Sequence, residues 1–180
     1  MFNCAMHVKN TLTEYGLISK LLHWVSAVLL LIQIPLGFYL VDLDFGPERL
    51  NIENIHVAVG LAIFYLVIFR LINNILNPTP KLEPNIFKGQ KLLAKLNHVL
   101  LYVTILSITI SGILKKLFNG ETLIIFFKEF KIKDNFELAE LFYDIHVYSN
   151  YFIIGLITLH IMAVVVHKFF FNDNLLKKIF

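Results

Sequence analysis

Tyr143–Phe171, YDIHVYSNYFIIGLITLHIMAVVVHKFFF, holds two histidines, His146 and His160, fourteen positions apart in one apolar run. At about 100° per residue, fourteen steps bring the second imidazole back to within roughly 40° of the first, about 21 Å further along a helix axis. The run is longer than the ~20 residues needed to cross a hydrocarbon layer about 30 Å thick. One helix therefore offers two imidazoles on one face at two depths of a bilayer. Ionisable side chains there are costly, so their first reading is functional.

Three further apolar stretches, Leu17–Val41, Ile55–Leu76 and Leu92–Leu114, each have spanning length. His23 lies in the first and His56 opens the second. The 180 residues are 57% apolar and only 16% charged, and the mean hydropathy is +0.70. A water-soluble domain of this size has no interior large enough for that much apolar surface. The expected fold is all-α: an integral membrane four-helix bundle enclosing two b-type haems. Its parts are a tail over 1–16, a transmembrane di-haem domain over 17–171 and a second tail over 172–180. Pro35 is expected to kink the first span, and the proline-rich segment Asn77–Pro84 reads as a loop. Phe118–Phe142, mixing charge with Phe and Ile, reads as an interfacial amphipathic segment.

The N-terminus, the middle loop and the C-terminus carry ten Lys/Arg and three acids; the other two loops carry six and ten. The positive-inside rule then puts both termini in the cytoplasm. With that orientation His23 and His160 share the inner level, and His56 and His146 share the outer one. Neutral imidazole suits iron, and two such pairs predict an iron porphyrin held between imidazoles at each level. Cys4 is the single cysteine and no C-x-x-C-H occurs, so covalent c-type attachment is excluded. The first apolar stretch is too long for a signal-peptide core and is expected to stay in the mature chain.

The fourteen-residue interval recurs from His23 to Gly37, from His56 to Arg70 and from His98 to Gly112. Gly37 and Gly112 would then leave room for a flat macrocycle at the outer level; close helix packing accounts for them as well. Gly60, one turn after His56, has the same two readings. Arg70 reads both as a bidentate partner for a haem propionate and as a positive-inside anchor. His98 has no partner at its depth, so a hydrogen bond to a propionate or a quinone is expected rather than ligation. His167, seven positions beyond His160, is either a proton-relaying or quinone-binding group or an ordinary interfacial histidine. Lys115 and Lys116 read as a snorkelling pair at a helix end, or as cations that draw in a small anion.

Leu22-His23-Trp24, Ile55-His56-Val57 with Gly60, Asn77-Pro78-Thr79-Pro80, Leu96-Asn97-His98 through Tyr102, Asp144-Ile145-His146, Gly155 through His167 and the tail Phe171–Leu176 together resemble the bacterial cytochrome b561 family, in its small stand-alone di-haem type. The similarity runs from about Tyr15 to the C-terminus. It implies a four-helix protein of the cytoplasmic membrane with two haem b groups, His23 and His160 ligating the inner iron and His56 and His146 the outer one. It also implies a superoxide:ubiquinone oxidoreductase, in which a periplasmic one-electron donor reduces the outer haem and ubiquinone accepts from the inner, with His167 near the quinone. The alternative function is a haem-bearing membrane anchor that wires a dehydrogenase or hydrogenase. The expected partners are lipid, quinone and a small periplasmic donor; nucleic acid is not among them.

Overall fold

The structure, a computed structural model, describes residues 7–80, 88–170 and 179. The helices are α1 Leu17–Asp42, α2 Pro47–Leu76, α3 Lys88–Phe118 and α4 Phe136–Phe170. Strands β1 Leu123–Ile125 and β2 Lys128–Phe130 form a small antiparallel hairpin between α3 and α4. All four helices are long and apolar enough to cross a membrane. They run up and down, with α1 packed on α2, α2 on α3 and α3 on α4. The end carrying the start of α1 and the α2–α3 connection is called near, and the opposite end far. The segment 81–84 of the proline-rich loop and, apart from Ile179, the tail 172–180 lie outside the described residues.

Two boundaries differ from the sequence reading. α2 begins at Pro47 and α4 at Phe136, well before Ile55 and Tyr143. Pro47 suits a first helical position, where no N–H is needed, and Glu48 and Glu137 complement the positive helix N-termini. These opening turns are charged, so hydropathy alone misses them. Pro35 lies within α1, which continues through it to Asp42. The stretch expected to be an interfacial amphipathic segment is instead the β-hairpin followed by the first turns of α4.

The bundle is apolar outside and partly polar inside, as a lipid-solvated protein requires. Leu31, Phe69, Leu92 and Leu159 are among many large apolar side chains left exposed, whereas Ser26, Thr104 and Ser111 are buried. The buried core contains Ile63, Ile105 and Ile153. Each stands seven residues from the two fourteen-spaced positions on its helix: 56 and 70, 98 and 112, 146 and 160. An aliphatic layer thus separates the two histidine levels.

At the near end, the segment before α1 folds back on the bundle. Asn10 is buried; it accepts from Gly16 N and Ser19 Oγ and donates to the Pro78 carbonyl at 3.1 Å. Asn73 Nδ2 donates to Ser19 Oγ at 2.7 Å. This polar clamp ties α1 to α2. Gly16 lies so close to Val8 and Lys9 that a Cβ there would overlap their backbone, with Lys9 O at 2.6 Å. Backbone cannot yield as a side-chain tip can. Gly16→Ala is therefore expected to cost about 1–3 kcal/mol, visible as a lowered thermal midpoint in detergent.

Candidate functional site

The fold brings the four histidines together as two pairs. At the near end the ring centroids of His23 on α1 and His160 on α4 are 6.4 Å apart, inclined at 53°. At the far end those of His56 on α2 and His146 on α4 are 6.1 Å apart, inclined at 72°. With metal–nitrogen bonds of about 2.0 Å, and each ring centre about 1 Å behind its nitrogen, imidazoles on opposite faces of one iron have centres about 6 Å apart. Both pairs have that spacing. Among the described residues no three His, Cys, Asp or Glu side chains gather into an all-protein metal site. Two facing imidazoles without further ligands suit an iron whose other four positions a macrocycle fills.

The far pair borders a cavity of about 460 Å³, lined from all four helices and by Leu123 of β1. His146 Nδ1 lies 2.8 Å from the Ile108 carbonyl. A carbonyl only accepts, so Nδ1 carries the proton and Nε2 keeps the lone pair that a metal needs. Gly112, one turn after Ile108, leaves bare backbone behind that ring: a Cβ there would meet His146 Nδ1 at 3.1 Å and Cε1 at 3.2 Å. Gly37 does the same for His56, whose Cε1 would lie 3.1 Å away. These glycines give room to the imidazoles themselves, as well as lining the cavity. Gln33 Nε2 donates to the His56 carbonyl at 2.8 Å, and a Cβ on Gly60 would meet that nitrogen at 3.3 Å. Gln33 was not singled out by sequence, since one amide in an apolar span carries no periodic signal.

At the near end Arg70 reaches the His23 level. Its Nη1 donates to Ser26 Oγ at 2.9 Å and its Nη2 to His23 Nδ1 at 3.0 Å, while the guanidinium lies 5.4 Å from the Tyr102 ring centre. His98 is exposed, and its Nδ1 donates to the Ala94 carbonyl at 2.7 Å. Its ring centre is 5.1 Å from that of His160 at 90°, too close for an iron between them. His167 is half-buried further along α4.

Lys115 and Lys116 line the far cavity beside Asp42 and Glu53. Lys116 is buried and ion-paired, 2.9 Å from Glu53 and 2.6 Å from Glu121, while Lys115 is 3.9 Å from Glu53. Two lysines face three carboxylates. Lys116 thus cross-links α2, α3 and the start of the hairpin; it is not a free cation at the cavity mouth.

The sequence profile of the family described as prokaryotic cytochrome b561 matches residues 14–180. The chain belongs to that family. It is 24% identical over 177 residues to cytochrome b561 homolog 2 of Escherichia coli (strain K12), covering 96% of this chain and 94% of the relative. It is 27% identical over 179 residues to the probable superoxide oxidase CybB of Yersinia pestis, covering 95% of each. As a cytochrome b561 the chain is a multi-pass electron-transfer protein of the prokaryotic inner membrane that carries haem b.

Proposed function

We propose that this cytochrome b561 carries two haem b groups, one ligated by His23 and His160 and one by His56 and His146, and passes electrons from superoxide at the periplasmic far end to ubiquinone at the cytoplasmic near end. The single observation behind this reading is the pair of imidazole–imidazole spacings, 6.4 and 6.1 Å, at two levels of one bundle. Both termini then lie in the cytoplasm, in keeping with the lysine and arginine count. Superoxide as donor rests on the likeness to the Yersinia protein, because the lysines at the far mouth are offset by carboxylates.

When bound, the haems supply one-electron carriage between the two ends. The chain's own residues hold and orient them. His146 is fixed by the Ile108 carbonyl, and the Ile63–Ile105–Ile153 layer keeps water out between the levels. Were Nε2 of His23 to hold the iron, the ring proton would sit on Nδ1, the nitrogen that Arg70 Nη2 faces at 3.0 Å, and the guanidinium would have to turn away from it. The guanidinium would then be the residue to hold a haem propionate, with His98, beside His160, as a second polar group. Two superoxide ions lose one electron each and become dioxygen; one quinone takes two electrons and two protons and becomes quinol. His167 is assigned as the donor of a quinone proton.

The test is the purified chain supplied with superoxide and ubiquinone. Quinol formation supports the reading; inactivity together with co-purification of a dehydrogenase or hydrogenase would replace it with the membrane-anchor function. His167→Ala is expected to slow quinone reduction by about 10²–10⁴-fold, the usual contribution of a positioned proton donor, with both haem spectra unchanged. A lost haem band would instead make His167 part of the haem site.

A further inference from the structure

The β1–β2 hairpin does not project from the far end of the bundle. We infer that it is a re-entrant wedge: it turns back into the far leaflet, where phospholipid acyl chains solvate its Phe126–Phe127 tip.

Two contacts fix its depth. At the top, Glu121 is 2.6 Å from Lys116, which is 2.9 Å from Glu53. At the tip, Phe126 N donates to Tyr65 Oη at 3.0 Å, and the two rings are 4.9 Å apart. Tyr65 lies twelve residues beyond Glu53 on α2, about 18 Å further from the far end. Helical side chains lean toward the helix N-terminus, so the hydroxyl lies on the order of 10 Å below the ion-pair level. The five residue steps from Glu121 to Phe126 span about 16 Å when extended, enough for that descent. At the base, Asn135 N donates to the Phe118 carbonyl at 2.8 Å, so the chain returns to the level it left.

The composition of the tip fits that depth. Ile125 pairs with Lys128, leaving Phe126 and Phe127 as a two-residue turn with φ of 49° and 62°. Asn and Gly are the residues that favour such a turn, because both central positions are left-handed. Here two aromatic side chains occupy it, against backbone preference. Phe127 is fully exposed, and Ile124 and Phe126 are each 61% exposed. Phe69, one turn beyond Tyr65 on α2, is 58% exposed, so the tip continues an apolar wall that faces lipid in any case. Phe126 N–H, which hydrocarbon could not satisfy, is taken by the Tyr65 hydroxyl. Lys128 follows on the returning strand, and its long stem carries the ammonium back toward the headgroups. On the inner side Leu123 is buried and lines the far cavity. The wedge thus closes the α2–α3 seam beside the His56–His146 pair.

The test uses the haem-loaded protein in its own membrane. Phe127→Cys and, as a control at the water-exposed base, Asp134→Cys are made in a Cys4→Ser background and treated with a charged, membrane-impermeant thiol reagent. A thiol in hydrocarbon forms no thiolate, so residue 127 should react at least about tenfold more slowly than 134. Separately, benzoylphenylalanine at position 127, which keeps an aromatic side chain, is irradiated and the protein weighed. A phospholipid adduct is the expected result. A dimer-sized adduct would place a second copy on the tip, and equal thiol reactivity at 127 and 134 would place the tip in water; either overturns the inference. An unchanged haem spectrum verifies that each variant is folded.

Discussion

His146→Ala should leave the purified protein with one haem equivalent where two are expected of the wild type, and His56→Ala should give the same species. Under the proposed ligation, removing either imidazole would take away one of the two groups that hold the far iron, and Gly37 and Gly112 stand directly behind the two rings. His23→Ala and His160→Ala should each lose the other haem. The readout is a reduced-minus-oxidised spectrum with haem quantification: two spectrally distinct single-haem species, each produced by two of the four variants. If His98→Ala rather than His23→Ala removed the near haem, the spacing argument that favours 6.4 Å over 5.1 Å would fail.

Gly112→Val should abolish the far haem while keeping the near one, with all four histidines of the two pairs in place. The first added carbon alone meets the His146 ring at 3.1–3.2 Å, and valine adds two methyl groups beyond it. The ring cannot retreat without breaking its 2.8 Å bond to the Ile108 carbonyl, one turn earlier on the same helix. Either the bond is lost, at about 1 kcal/mol, or α3 moves off α4, at about 1–3 kcal/mol for overpacking. In both cases Nε2 leaves its position. Gly112→Ala needs a shift of only a few tenths of an ångström and should retain the far haem with an altered potential. A Gly112→Val protein with both haems at full occupancy would show that the imidazole is not confined by the α3 backbone.

Much of this arrangement is legible in the residues themselves. Spanning length and the fourteen-residue interval specify four helices and two histidine levels, because helical pitch converts sequence distance into depth. The family resemblance drawn from the histidine motifs agrees with the match over residues 14–180. What escapes is decided by neighbours distant in sequence. Nothing local marks Gln33 as the partner of the His56 carbonyl, or Lys116 as buried between two carboxylates. Arg70 sits at the depth its spacing gives, yet its hold on Ser26 and His23 depends on how α1 and α2 face each other. The hairpin is hidden for a different reason: two three-residue strands are too short for alternation to stand out, and phenylalanines in a left-handed turn contradict the usual signal.

Because α4 supplies one imidazole to each pair, it works as a ruler with coarse graduations. Inserting a single residue between His146 and His160 would swing one ring by about 100° and spoil its site. The neighbouring intervals that keep both rings on one side are eleven and eighteen residues, about 16 and 27 Å. The distance between the two imidazole levels can therefore change only by whole turns of the rod. Gradual sequence drift cannot tune that distance; only a jump of about 5 Å can, and α1 and α2, which carry the partner imidazoles, would have to jump with it.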